Sequence, residues 1–317
     1  MDLSLIKKAY YDPKSPAAYG GVERLYRSLK EEGFTRDDIK CFLQKQPTYT
    51  LHRDRRYRFR RNRVVAFSKD YQWMADLVDM QKFSKENFGY KYILMVIDVF
   101  TKYAWARPIT TKQPGDIIRP FQNIFELDGR RPMRLQTDRG KEFDNHVLHQ
   151  FYEKHNISYF TSWNKTYKCS VVERLNRTIK GRMFRYFTAN KTKQYVHVLK
   201  DIMKGYNNSY HRTIKMTPVE ACNAPVSIVF KNTYGTDLNV QIPKLKFKKG
   251  DTVRIAYDKG TFDKAYEQTH TKELATVESI NKRPVPMYTL KDLSKSEIVK
   301  RKFYAQELQS FDGEPQE

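Results

Sequence analysis

The chain has 317 residues, 39% hydrophobic and 30% charged, with 59 Lys plus Arg against 36 Asp plus Glu and a net charge of +23. Such a composition suits two or three folded domains. No apolar run approaches the ~20 residues of a membrane helix, and the opening MDLSLIKKAYYDPK lacks the apolar stretch of a signal peptide, so neither membrane nor export is expected. Three scattered cysteines, Cys41, Cys169 and Cys222, speak against a disulfide framework or a redox pair. The positive excess favours a polyanionic partner, nucleic acid ahead of a membrane surface, because each neutralised phosphate releases a counterion.

In chain order, Val22, Leu25, Tyr26 and Leu29 have helical spacing, and Gly33 fits a stop. Thr35 and Asp38 form a capping signal for a second periodic segment with Ile39, Phe42 and Leu43, so residues 1–50 read as a small helical domain. Residues 51–69 follow as a basic linker. Seven arginines fall between Arg53 and Arg63, among them Arg55, Arg56, Arg58, Arg60 and Arg61, with Tyr57 and Phe59 interleaved. A charge run is commonly a solvated linker, but guanidinium groups fork onto phosphates and aromatic rings stack on bases, so these are candidate DNA contacts. From residue 70 to 222 the pattern is α/β. WMADLVDM, YILMVIDVF and YAWARPI read as an antiparallel meander, followed by a helix over 114–127 and a short strand, MRLQT. A helix at 145–155, a strand at 157–160 and a helix at 171–188 complete the order βββαβαβα, and a helix at 194–209 closes a mixed sheet covered by helices. Residues 223–242 read as a linker. TVRIA, KELATVESI, VPMYTL and FYAQEL within 243–317 suggest a small barrel.

Three acids stand out. Asp76 interrupts an apolar strand, where an unpaired carboxylate is costly and requires a cation, a hydrogen-bond network or a metal. Asp138 ends another buried strand, where α/β sheets tend to place ligands. Glu173 opens the first turn of the 171–188 helix. Three oxygen donors without a nearby His or Cys suit a hard cation, Mg²⁺ or Mn²⁺, and two such ions serve phosphoryl transfer. Asp79 and Asp98 read as structural, Asp79 lying on the opposite face of its strand from Asp76. Glu173, Arg177 and Lys180 fall at i, i+4 and i+7. They suit either an ion-paired helix face or a surface that delivers a DNA backbone to the acids, and Arg174 adds to its charge.

WMADLVDM, YILMVIDVFTKYAWARPI, LQTDRGKEF and VVERLNRTIKGRM resemble the successive motifs of the retroviral-type integrase core, an RNase H-like fold. The likeness covers roughly residues 65–222, including TPVEA. YYDPKSPAAYGGVERLYRSLK and YTLHRDRRYRFRRNRV at the N-terminal side, and FKKGDTVRIA and FYAQEL at the other, are similar to integrases of the Polinton (Maverick) transposons. The resemblance implies an RNase H-like five-stranded mixed sheet flanked by helices and a C-terminal SH3-like β-barrel. It implies a catalytic, metal-binding triad of Asp76, Asp138 and Glu173 with Mg²⁺ or Mn²⁺. It further implies trimming of 3′ ends and their joining to target DNA, a homo-multimer working on element ends and target duplex, and a nuclear location in a eukaryotic host. Arg177 and Lys180 match positions where retroviral relatives place end-binding lysines.

Two departures stand against that pattern. Residues 1–50 hold Cys41 and no His, so the zinc site of retroviral relatives is not expected. Ser170 stands where the loop before the acidic residue commonly carries Gly. Lys248 and Lys249, beside a turn in FKKGD, read equally as a solvated hairpin or as contacts to a DNA backbone, and a peptide-reading barrel is a further alternative. Against an active integrase stand two other readings, a catalytically silent DNA-binding descendant and a general RNase H-like nuclease.

Overall fold

The computed structural model describes residues 3–54, 59–138, 140–161, 169–235, 245–257 and 267–313. Four helices open the chain: α1 (Leu3–Tyr11), α2 (Val22–Leu29), α3 (Arg36–Gln44) and α4 (Pro47–Leu51). The two helices read from the sequence are α2 and α3. Gly33 takes a left-handed φ of +81° between them, and Thr35 and Asp38 form the reciprocal cap, the Asp38 carboxylate accepting from Thr35 N at 2.9 Å. The other two complete the burial: Ile6 and Tyr10 of α1 pack with Leu25, Ile39 and Leu43.

The sheet that carries the acids is built from β1 (Gln72–Asp79), β2 (Tyr92–Asp98), β3 (Ala104–Ile109), β4 (Arg134–Thr137) and β5 (Ser158–Thr161), in the order β3-β2-β1-β4-β5. The first three strands form an antiparallel meander; β4 runs parallel to β1, and β5 parallel to β4. Helices α5 (Pro114–Asp128), α6 (His146–Lys154), α7 (Ser170–Ala189) and α8 (Val196–Asn207) flank it. Strand alternation divides the core in two. Trp73, Ala75, Leu94 and Val96 pack with Ile117 and Phe121 of α5 and Leu148 of α6, whereas Met74, Val78, Met95 and Ile97 pack with Val172, Leu175, Ile179 and Met183 of α7. Asp76 shares the second face.

Asp98, fully buried at the end of β2, is structural. Arg130 bridges it at 2.9 Å and Asp70 at 2.6 Å, and the Thr101 hydroxyl donates to it at 2.6 Å. Part of the stretch read as a linker is ordered helix. After α9 (Pro218–Asn223), α10 (Val226–Tyr234) buries Val229 in the core, and Tyr234 accepts from Ala66 N through its hydroxyl at 3.0 Å. Val226, Val229, Phe230 and Thr233 do have helical spacing; with Ala224-Pro225 before them and Gly235 behind, the segment is too short for the periodicity to stand out.

The chain ends in a five-stranded antiparallel sheet: β6 (Thr252–Ala256), β7 (His270–Asn281), β8 (Met287–Asp292), β9 (Ile298–Tyr304) and β10 (Leu308–Ser310), ordered β10-β6-β7-β8-β9. Register shifts interrupt the β6–β7, β7–β8 and β8–β9 ladders, and such bulges bend a sheet around its core, here Phe247, Val253, Val277, Leu290 and Phe303. Two compact units result, residues 63–239 and residues 1–62 with 240–317. Within the second, backbone bonds join the two ends of the chain: Thr269 N donates to Leu51 O at 2.8 Å, and Asp312 N to Gln44 O at 3.2 Å. Among the described residues no helix is long and apolar enough to cross a membrane.

Candidate active site

The parallel register of β1 and β4 sets the position of two of the acids. Met74 pairs with Gln136, and Asp76 and Asp138 each lie two residues further along, on the same face. The Gln72 side chain donates to that of Gln136 at 2.8 Å and fixes the pair of strands from below. Cys169 precedes α7, whose apolar stripe lies on this face of the sheet, and Glu173 stands exposed in its first turn.

Asp138 and Glu173 both act on Asp76. Burial lifts the Asp76 carboxyl from its ordinary 3.8 to about 6, with repulsion from Asp138 and then Glu173 adding to it. Two donors partly offset this: Leu77 N at 2.9 Å from Oδ1, and the Asn176 side-chain amide at 2.7 Å from Oδ2. Burial also pushes the Cys169 thiol up to about 12, and Asp138, Asp76 and Glu173 add to that shift. A thiol so disfavoured as thiolate is a packing group rather than a nucleophile. Asp138 accepts from Gly140 N at 3.2 Å. A Cβ at Gly140 would meet the Glu142 carboxylate at 2.5 Å, so a larger residue there would displace that side chain from Lys112, which holds it at 3.2 Å.

Among the described residues, no group of three His, Cys, Asp or Glu is arranged to hold a metal ion. The donor set nevertheless suits one in kind. A buried carboxylate repelled by two others asks for a positive charge, and oxygen donors alone suit a hard divalent ion. Asn176 Oδ1 is buried without a hydrogen-bond partner beside Asp76, which leaves one more oxygen free for a hydrated cation. Asn176 was not singled out from the sequence. Its signal was its place three residues after Glu173, hence on the same side of the helix.

Arg174, Arg177 and Lys180 are exposed on α7, and neither Arg177 nor Lys180 pairs with Glu173 among the described residues. Asp79, exposed and bonded to Gln81 N at 2.9 Å, feels Lys112 and Lys180. Arg60 is exposed, and Arg61 lies 4.4 Å from the Phe59 ring centre; Arg55, Arg56 and Arg58 lie outside the described residues. In the C-terminal sheet Lys248 N donates to Asp251 at 2.8 Å, and Lys249 pairs with Glu278 at 3.4 Å while its side chain stays 73% exposed, so its charge remains available to solvent.

Comparison with known proteins adds the following. A transposon-derived protein of Caenorhabditis elegans is 34% identical over 62% of this chain and 65% of its own length. The alignments span less than two thirds of the curated relatives. Among solved structures, a chain from the intasome of simian T-cell lymphotropic virus, in complex with a PP2A regulatory subunit, covers 92% of this chain and 99% of its own, with a TM-score of 0.65 and 14% identity. The HTLV-2 integrase catalytic core domain, solved in complex with magnesium, covers 50% of this chain and 99% of its own, with 17% identity and a TM-score of 0.42. The fold, with its N-terminal helices, mixed five-stranded sheet and C-terminal antiparallel sheet, is thus shared with a chain of that intasome. Residues 68–169, which carry both Asp76 and Asp138, match the model of the integrase core domain.

Proposed function

We propose that this chain is an integrase that trims the 3′ ends of a mobile DNA element and joins them to target DNA. The observation that carries the reading is the placement of Asp76 and Asp138 on one face by the parallel β1–β4 register, with Asp138 and Glu173 of the α7 first turn both acting on the buried Asp76 carboxyl. The match to the integrase core domain and the likeness to a transposon-derived protein support it. Trimming and joining are the same chemistry, attack of water or of a 3′-hydroxyl on a phosphodiester.

Asp76, Asp138 and Glu173 would hold Mg²⁺ or Mn²⁺, which when bound activates the attacking oxygen and stabilises the leaving one. Leu77 N and the Asn176 amide orient the Asp76 carboxylate. Asp138 is fixed from the other side by Gly140 N. Glu173, on the exposed first turn of α7, meets DNA arriving from solvent. Arg177 and Lys180, one and two turns further along, take the neighbouring phosphates of the same DNA end, and Arg174 adds to the field. The basic stretch through Arg60 and Arg61, with Lys248 and Lys249, contacts the duplex backbone. Each chain has one such triad, and insertion of two ends into both target strands therefore uses a multimer.

The absence of a closed three-donor group among the described residues favours a second reading, a DNA-binding descendant that no longer cuts. A strand-transfer assay on element-end oligonucleotides with Mg²⁺ or Mn²⁺ separates the two. Joined products that vanish in Asp138→Asn support the integrase; DNA binding with no product under either metal refutes it. Hydrolysis without joined strands would identify a nuclease.

A further inference from the structure

A concave site lies beside the N-terminal helices, in the unit that does not contain Asp76, Asp138 and Glu173. It is a cleft of about 780 Å³, well within the range of small-molecule sites. Tyrosines form its walls. Tyr10 is buried, its hydroxyl 3.2 Å from that of Thr48, and Tyr19 stands edge-on to it with ring centres 5.7 Å apart. Tyr49 completes the aromatic lining, and Arg53 lies 6.0 Å from the Tyr49 ring centre. Asp54 and His52 share the mouth with Arg53.

Two features of this cleft stand out. Tyr19 adopts a left-handed φ of +48° and is 56% exposed. A bulky side chain in that region is strained, and here the ring is not repaid by burial. The bonds from Tyr19 N to Tyr10 O, at 2.8 Å, and from its hydroxyl to Tyr11 O, at 3.4 Å, hold it at the rim. Next to it, α2 begins at Gly21 without a side-chain cap, and a Cβ at Gly21 would meet nothing within 4 Å. The helix start thus opens onto the cleft. Arg53 spends one nitrogen on Gln309, at 2.8 Å, and its guanidinium retains further donors.

We propose that this cleft binds an unpaired nucleotide of DNA, its base against Tyr19 and Tyr49 and its phosphate between Arg53 and the start of α2. Flat aromatic walls accept any base face, guanidinium and helix-start amides accept phosphate, and a concave site admits a single nucleotide where a duplex would be held off. The negative charge of Asp54 at the mouth disfavours a free polyphosphate more than a single diester. The inference rests on the reading of the chain as a DNA-joining enzyme for the source of the nucleotide: trimming of one strand leaves unpaired bases on the other.

The test uses the full chain without divalent metal, and fluorescence anisotropy on a blunt duplex and on the same duplex with a short single-stranded tail. The tail should tighten binding on the order of tenfold, the effect of one base–aromatic stack. Tyr19→Ala should remove that preference and Tyr19→Phe should keep it. Gly21→Asp is the decisive variant. The backbone there, φ −84° and ψ −179°, is extended and suits a capping residue, so Asp caps α2 while adding negative charge to the cleft. Its melting temperature should be equal or higher, and its tail preference lost. Thymidine monophosphate should compete with the tail, and inorganic phosphate should not. Equal competition by phosphate, no tail preference in the parent protein, or a preference that survives both Tyr19→Ala and Gly21→Asp would overturn the proposal. A chain that prefers tails yet never joins strands would leave the cleft standing and sink the integrase reading instead.

Discussion

Asp76→Asn should stabilise the metal-free protein while ending its chemistry. The carboxyl of Asp76 titrates near 6 in the folded chain against an ordinary 3.8, so ionising it in place is unfavourable. At about 1.4 kcal/mol for each tenfold change in proton affinity, the penalty at neutral pH is at most about 3 kcal/mol. Because the folded-state pKa is raised, protonated Asp76 favours folding; that contribution is whole below about pH 3.8 and is lost as the pH rises through about 6. The amide never ionises. Its geometry is preserved, since Asn at position 76 keeps its oxygen on Leu77 N, and Asn176 can turn its unpartnered oxygen toward the new NH₂. Melting curves in EDTA should therefore coincide for the two proteins near pH 3.8, diverge between 4 and 6, and stay apart above about 7. A domain of this size shifts roughly 2–4 °C per kcal/mol, so the plateau lies at about 10 °C or less. Added Mg²⁺ or Mn²⁺ should raise the parent protein more than the variant. A variant that melts lower than the parent at pH 7.5 in EDTA, or a gap that does not change with pH, would refute the picture of an acid buried against two others.

Three further outcomes follow from the same geometry. Asp138→Asn or Glu173→Gln should abolish end trimming and joining with DNA affinity nearly unchanged, read by strand-transfer and binding assays side by side, because each amide keeps the shape and removes the charge. The double change Arg177→Ala with Lys180→Ala should lower the slope of log affinity against log salt by nearly two on duplex DNA, about 0.9 for each phosphate that is no longer neutralised; an unchanged slope with normal joining would make both residues merely solvated. Arg130→Ala should destabilise the fold by about 3–5 kcal/mol in denaturant titration, since it leaves the fully buried Asp98 without its cation.

What the sequence displayed depended on how local the physics was. Asp76 was legible because a carboxylate among Trp73, Met74, Leu77 and Val78 conflicts with its surroundings, and that conflict is visible in eight residues. Thr35 and Asp38 were legible for the same reason, a cap being complete within one turn. Asn176 was less so. An asparagine on a helix is unremarkable until the helix is set over β1, and only then does its amide find Asp76 at 2.7 Å. The pairing of the two ends of the chain in one unit was not legible: Thr269 N to Leu51 O and Asp312 N to Gln44 O use backbone groups that every non-proline residue supplies, and side-chain bonds such as Arg53 to Gln309 join residues with no local relation in sequence.

Arg177 and Lys180 show where sequence and structure meet. Spacing alone allowed an ion pair with Glu173 along the helix or a face kept for phosphate. Among the described residues that pair is not made, although the i, i+4 separation permits it, and all three side chains are exposed. A pair left unmade at a permissive spacing forgoes only a few tenths of a kcal/mol, too little to decide a fold. It does leave the acid open to a metal and the cations open to a polyanion. That separation is what a surface needs if one face of α7 is to hold a scissile phosphate at its first turn and the following phosphates at the next two.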